Sequence, residues 1–127
     1  MEFRESQAIY QQVADHVCEM ILRQEWSAGQ RIPSVRELAM ELEVNPNTLN
    51  KAYAYLQDRG IIHNQRGIGY FVDDSGLEAT RSLKREEFVT LELPRVFRTM
   101  DLLEMNLKEL GQHLDEYRNA QTKGGKA

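Results

Sequence analysis

The sequence predicts a mainly α protein with one small β-ribbon, arranged as an N-terminal domain followed by a short α-helical tail. Three observations carry this. Two helix-start signatures stand eleven residues apart, at Ser34 and Asn45, leaving room for one short helix and a tight turn. Two β-rich pieces then flank Gln65 to Gly69, the layout of a hairpin. From Val89 onward, apolar residues recur at heptad spacing.

In chain order, Ser6 is placed to cap a first helix in which Ile9, Val13, Val17 and Ile21 repeat every fourth residue. Gln24 to Gln30, with Trp26, Ser27 and Gly29, ends this helix in a short connection, and Trp26 is expected to anchor in the core. Next, Ser34 three residues ahead of Glu37 forms a capping box in front of Leu38, Ala39 and Leu42. A further helix opens with Asn45 at the cap and Pro46 at its first position, where a missing N–H costs nothing. Leu49, Ala52, Tyr53 and Leu56 follow helical spacing and face the core. Gly60 closes that helix.

Two helices so spaced match a helix-turn-helix, whose second helix enters the DNA major groove. Asn45, Asn47, Thr48, Asn50 and Lys51 crowd the N-terminal end of that helix, the end that meets base edges and phosphates. Asn can pair with adenine through two hydrogen bonds, and Thr can meet a thymine methyl or a phosphate. No acidic residue lies between Glu43 and Asp58, which suits approach to phosphates. Taken one at a time, these residues also fit a cap and a solvated helix face; the group in this setting favours nucleic acid. In the ribbon that follows, Gly67 and Gly69 permit a tight tip and Arg66 sits on it. An Arg so placed can reach a phosphate or a narrow minor groove.

The blocks Ile32-Pro-Ser-Val-Arg-Glu-Leu-Ala39, Val44-Asn-Pro-Asn-Thr-Leu-Asn-Lys-Ala-Tyr53 and Arg66-Gly-Ile-Gly-Tyr-Phe-Val72 resemble the winged-helix domain of the GntR family of bacterial transcription regulators. The Val-Asn-Pro-Asn-Thr run and the short tail are similar to its YtrA-like subfamily. The likeness covers Ala8 to Val72. It implies a winged helix-turn-helix in which Arg36 contacts DNA, the recognition helix does so through Asn45, Pro46, Asn47, Thr48 and Asn50, and the wing through Arg66 and Gly67. Arg31 and Ser34, beside Arg36, complete the candidate set. Other branches of the family carry Arg where this chain has Pro46 and Asn50, so its base preference must differ. Ala8 stands where the family usually has Pro, a change that bears on the helix start alone.

Composition sets further bounds. A chain of 127 residues, 41% hydrophobic, suits one small domain plus an appendage. The net charge is −4, so the phosphate-binding footprint must be local: residues 44–72 hold Lys51, Arg59 and Arg66 against Asp58 alone, with Arg31 and Arg36 just before. No apolar run is long enough for a bilayer, and no signal-peptide stretch opens the chain. With Cys18 the lone cysteine, no intrachain disulfide can form, and a cytoplasmic protein is expected. No metal-ligand spacing, nucleophile–base pair or phosphate-binding glycine loop stands out, so neither a cofactor nor an enzymatic activity is expected.

The expected divisions are a DNA-binding domain over 1–73, a two-helix dimerisation region over 74–120 and a disordered end over 121–127. In the tail, Val89, Leu93, Val96, Met100 and Leu103 form one apolar stripe, and Leu107, Leu110, Leu114 and Tyr117 continue it. Pro94 should kink the first segment by crowding the Thr90 carbonyl. Asn106 with Glu109 three residues on marks a new helix start, so a break is expected near Met105. The stripe is too long for the first domain to cover. Either the tails of two chains pack together or the tail folds back, and the first is favoured.

The function expected is sequence-specific binding of double-stranded operator DNA by a homodimeric repressor on an inverted repeat. Half-sites should lie one DNA turn, roughly 34 to 36 Å, or a multiple of it apart. The 54 residues after Asp73 are too few for the large ligand-sensing domains of other family branches. A small-molecule effector of unknown identity would have to use a groove beside Met100 and Met105. A winged-helix protein-interaction module without specific DNA binding is the alternative.

Overall fold

The computed structural model describes Phe3 and residues 7–123. Ser6, expected as a helix cap, lies outside the described residues, and α1 (Ile9–Leu22) instead begins after Ala8 with no side-chain cap. Val13, Val17 and Ile21 are buried as their spacing requires, together with Ala14 and Cys18. Ile9, a turn earlier, is 45% exposed and does not join the core.

Helix α2 (Val35–Leu42) opens on the expected capping box: Glu37 N–H donates to Ser34 Oγ at 3.1 Å, and Ser34 N–H donates to the Glu37 carboxylate at 2.9 Å. It ends at Glu43, held in the left-handed region with φ +58°. Helix α3 (Pro46–Asp58) starts from Asn45, whose side-chain oxygen accepts from Asn47 N–H at 2.7 Å. Leu49, Ala52, Tyr53 and Leu56 are all buried, so the inner face of α3 packs on α1 and α2.

The strands β1 (Ile62–Gln65) and β2 (Gly69–Val72) pair antiparallel, Ile62 opposite Val72 and Gln65 opposite Gly69. At the tip, Ile68 N–H donates to the Gln65 carbonyl at 2.8 Å, and Gly67 has φ +78°, the positive value required at the third residue of a type II turn. The segment before α2 adds a third rung: Arg31 bridges Phe71, and Ile32 N–H donates to the Tyr70 carbonyl at 2.9 Å. One core of Val13, Val17, Ile21, Leu38, Leu49, Leu56, Ile61, Ile62 and Val72 unites these elements, with Trp26 half-buried against it.

This first compact unit runs to Arg85, not to Asp73. Its last helix, α4 (Gly76–Glu87), buries Thr80, whose hydroxyl donates to the Gly76 carbonyl, and packs Leu77, Ala79 and Leu83 on the core. A Cβ at Gly76 would come within 2.6 Å of the Ile61 carbonyl oxygen and 2.9 Å of Val72, so only glycine lets α4 start this close to the ribbon. Lys84 adds a 2.7 Å ion pair to Asp15 of α1. The boundary expected at Asp73 is therefore corrected: the Asp-Asp-Ser-Gly run is a turn inside the domain, and the helix beyond it belongs to the same core.

The second unit starts at Glu86. Its helix opens as a single π turn, Phe88–Glu92, in which Leu93 N–H donates to the Phe88 carbonyl; α5 (Leu93–Leu103) follows with Pro94 in its first turn. The wide turn answers the steric demand of Pro94, which has no N–H and would crowd a carbonyl one α-turn back. The chain breaks at Glu104, φ +55°, and α6 (Leu107–Lys123) restarts on a second capping box, Asn106 with Glu109. Gln121 to Lys123 are helical, which corrects the disorder expected from Gln121; residues 124–127 lie outside the described residues. Among the described residues no helix is long and apolar enough to cross a membrane.

Candidate nucleic-acid interface

The candidate residues fall on three parts of the first unit: the start of α2, the N-terminal end of α3 and the ribbon. Asn47, Asn50 and Lys51 are exposed, Thr48 is half-buried, and Pro46 stands at the helix start. Burial of Leu49, Ala52, Tyr53 and Leu56 on the opposite face turns these polar side chains outward. The orientation is thus a consequence of packing: the apolar positions fix the roll of the helix, and what remains faces solvent. Asn45 is exposed too, but its side-chain oxygen already serves the Asn47 N–H, which leaves its amide N–H2 for another partner. Ser34 Oγ is likewise engaged as an acceptor in its capping box, and it keeps one donor hydrogen.

Arg36 projects from the first turn of α2 and is exposed. The spatial order between α2 and α3 is held by Tyr53, whose hydroxyl donates to the Pro33 carbonyl at 2.7 Å. Its ring meets that of Tyr70 edge-on, with centroids 4.9 Å apart. Burial pushes the Tyr53 phenol far above its ordinary range, with Tyr70, Glu37 and Glu41 adding to the shift. Tyr53 thus stays a neutral donor, tying recognition helix, α2 and ribbon together.

The wing presents Arg66, Gly67 and Ile68 at its tip, all exposed. Arg31 lies flat against Gly69: a Cβ there would stand 2.9 Å from Arg31 Nε and 3.3 Å from Nη2, and Gly69 has φ +149°. That close approach places the Arg31 guanidinium along the base of the wing. Sequence reasoning proposed Arg31 from charge alone; the fold supplies the glycine that seats it.

Some features left no signal in the sequence. The Lys51 ammonium sits 4.3 Å over the Tyr10 ring, Tyr10 meets Tyr55 edge-on, and Arg59 lies 3.7 Å over Tyr55. Cation–π contact of this kind restrains a long flexible side chain, so Lys51 leaves the recognition helix in a fixed direction. On the ribbon, His63 stacks on its cross-strand partner Phe71 and bonds through Nδ1 to Asp73 at 3.0 Å. Asp73 also accepts from the Ser75 N–H and hydroxyl, and these bonds, with His63, hold its carboxyl below the usual range. Arg59 over Tyr55 is an i,i+4 contact at the end of α3, but Lys51 over Tyr10, Tyr10 against Tyr55 and His63 against Asp73 join residues whose spacing no helical period announces.

Among the described residues no group of three or more His, Cys, Asp or Glu stands together as a metal site. In the second unit, an apolar hollow of about 330 Å³ lies between α5 and the start of α6. Val96, Met100, Leu103, Met105 and Leu110 line it, with Arg95 and Thr99 at its polar edge. None of the described residues from Glu86 onward is buried.

The model of the gntR family of bacterial regulatory proteins matches residues 9–72, from the first residue of α1 to the last of β2. The chain is 39% identical over 71 residues to the HTH-type transcriptional regulator YhcF of Bacillus subtilis, covering 56% of this chain but only 59% of YhcF. It is 31% identical to the HTH-type transcriptional repressor YtrA of the same organism over 97% of this chain and 93% of YtrA. A solved GntR-family transcriptional regulator from Bacteroides thetaiotaomicron superposes with TM-score 0.73 at 38% identity, covering 90% of this chain and 99% of that one. The AraR DNA-binding domain, solved in complex with operator ORR3, matches 57% of this chain and 84% of its own, with TM-score 0.51 and 29% identity. The chain therefore belongs to the GntR family of bacterial transcriptional regulators, and its match to YtrA runs through the winged helix-turn-helix and the helical tail alike.

Proposed function

We propose that this regulator is a homodimeric repressor that binds an inverted-repeat operator in the cytoplasm and blocks a promoter by occupying it. The observation that carries the reading is the exposed N-terminal end of α3. Asn47, Asn50 and Lys51 stand there beside Thr48, no acidic residue intervenes between Glu43 and Asp58, and Arg36 on α2 and Arg66 on the wing add exposed positive charge in the same unit. In this reading Arg36 and Lys51 take phosphates, and Asn47, Thr48 and Asn50 take bases or mixed contacts. Arg66 and Gly67 reach from the wing, Arg31 adds charge at its base, and Asn45 and Ser34 offer their remaining donors to the backbone. The operator bound by AraR and the repressor activity named for YtrA support the same assignment.

The second unit supplies the dimer. Val89, Val96, Leu103, Leu107 and Leu114 are exposed and Leu93, Met100 and Leu110 half-buried, which is far more apolar surface than a short helix pair tolerates in water. A second copy, packed tail on tail about a two-fold axis, covers the stripe and fills the hollow at Met100 and Met105. A small-molecule effector, if this regulator has one, would occupy that same hollow and compete with the second copy.

The test is recovery of genomic fragments by the purified protein at physiological salt, followed by sequencing. An enriched inverted repeat with half-sites a whole number of DNA turns apart supports repressor and dimer together. A folded protein that enriches no sequence favours a protein-interaction module in its place.

A further inference from the structure

The ribbon carries a chain of hydrogen bonds that ends on an exposed amide at the tip of the wing. Ser75 donates twice to Asp73, Asp73 faces His63 Nδ1 at 3.0 Å, and His63 Nε2 faces Gln65 Nε2 at 3.2 Å. The roles along this chain are fixed one from the next. Asp73, held as a carboxylate by its bonds to Ser75 and His63, can only accept, so the His63 tautomer that this geometry selects carries its proton on Nδ1. Nε2 is then an acceptor, and of the two ends of the Gln65 amide it is the N–H2 that bonds to it. Stacking on Phe71, with centroids 5.9 Å apart and planes 14° from parallel, holds the plane of the imidazole, and the Nδ1–Asp73 bond sets which edge faces Gln65. With its nitrogen turned to His63, the exposed Gln65 amide has its carbonyl oxygen left over, and no described residue donates to it.

We propose that Gln65 is a base-reading residue of the wing, held carbonyl-outward by His63, and that it accepts a hydrogen bond from the 2-amino group of guanine in the minor groove. The inference rests on the DNA-binding reading above. Gln65 adjoins Arg66 at the exposed wing tip, where a side chain can enter the minor groove. An outward carbonyl is repelled by phosphate oxygens, so a backbone contact does not satisfy it. In the minor groove A·T and T·A pairs show only acceptors, and guanine supplies the one donor. An acceptor fixed at this place therefore selects G·C against A·T, whereas an amide free to flip would tolerate both. His63 is in this scheme a positioning residue: it need not touch DNA to set the preference.

The experiment is competition binding of the full chain at neutral pH to a pool of duplexes randomised over their central positions, read by sequencing, for the unchanged protein, Gln65→Ala and His63→Phe. Gln65 is exposed and His63→Phe keeps an aromatic ring on Phe71, so both variants should fold, which a thermal melt verifies. The unchanged protein should prefer G·C at a flanking position of each half-site. Gln65→Ala should lose about 5- to 10-fold of that preference and leave the remaining positions as they were. His63→Phe should relax the same position, while a purely structural role would lower binding to all duplexes alike. Unchanged profiles in both variants, or a uniform loss in His63→Phe, overturn the proposal. Absence of any preference in the unchanged protein is a different result, which defeats the DNA-binding reading itself and this inference with it.

Discussion

Tyr53, in the middle of the recognition helix, donates its hydroxyl to the Pro33 carbonyl across 2.7 Å, closing the gap between α3 and the start of α2. The bond spans twenty residues of sequence and ties the middle of α3 to the segment that leads into α2. Removing it in Tyr53→Phe leaves a carbonyl short of its partner while keeping the ring against Tyr70. Denaturant unfolding should show a loss of about 1 to 3 kcal/mol. A loss near zero would mean that water replaces the hydroxyl without cost.

The same residue sets an alkaline limit. Its folded-state pKa is raised, so its contribution to stability is fully present below pH about 10, the ordinary phenol value. That contribution is lost as the pH rises from there toward the folded-state value, because the unfolded chain ionises first. The unchanged protein should therefore lose stability on alkaline titration more steeply than Tyr53→Phe. Asp73 acts in the opposite sense: its folded value is lowered, so its contribution is present above pH about 4 and is lost on further acidification. Asp73→Asn should flatten the acid limb of the stability profile, and equal acid limbs in the two proteins would remove Asp73 from the account.

Gly76 tests the extended domain boundary. With the Ile61 carbonyl 2.6 Å and Val72 2.9 Å from where a Cβ would stand, Gly76→Ala forces α4 away from the ribbon. An overpacking cost of about 1 to 3 kcal/mol is expected by thermal or denaturant unfolding. Gly111, with open space around it, is the control: Gly111→Ala should be neutral or mildly stabilising through helix propensity. A neutral Gly76→Ala would place α4 outside the cooperative unit.

Why some of this was legible in sequence and some was not follows from range. Ser34 with Glu37, Asn45 with Pro46, and Asn106 with Glu109 are contacts within one helical turn, and each was readable as a spacing. The inner face of α3 and the ribbon register follow periods of 3.6 and 2, again local. The placement of α4 depends on a backbone approach between Gly76 and Ile61, fifteen positions apart, and the Asp73-Asp74-Ser75-Gly76 run looks like any domain-ending turn. Lys51 over Tyr10 and His63 against Asp73 likewise join residues whose spacing carries no period. Pro94 was recognisable as a disturbance, but whether a helix answers with a kink or with a π turn depends on how the preceding turn can widen.

In the proposed reading Arg36 and Asn47 make different kinds of DNA contact. With Arg36 as a phosphate contact, Arg36→Ala should weaken all sequences alike and reduce the slope of log affinity against log salt by about one unit. Asn47→Ala should cost about 1 to 3 kcal/mol on the preferred site and relax selectivity there. Identical profiles for the two variants across a panel of sites would show that the division between phosphate and base contacts is drawn in the wrong place.

The helical tail gives the last expectation. Met100 and Leu103 line the apolar hollow, Leu103 is 66% exposed, and no described residue of the second unit is buried. Helices of this length do not hold together in water on exposed apolar side chains alone; their stability comes from packing against a partner. In the proposed tail-to-tail dimer, Leu103→Glu places a charge in that packing and should convert dimer to monomer in sedimentation, with partial loss of helix from the tail. The winged domain has its own core, ending at Arg85, and should melt nearly as before. Binding to an isolated half-site should persist, while binding to the full inverted repeat should fall on the order of 10²-fold as the second contact ceases to be intramolecular. A Leu103→Glu protein that remained dimeric and bound the repeat undiminished would locate the self-association surface elsewhere.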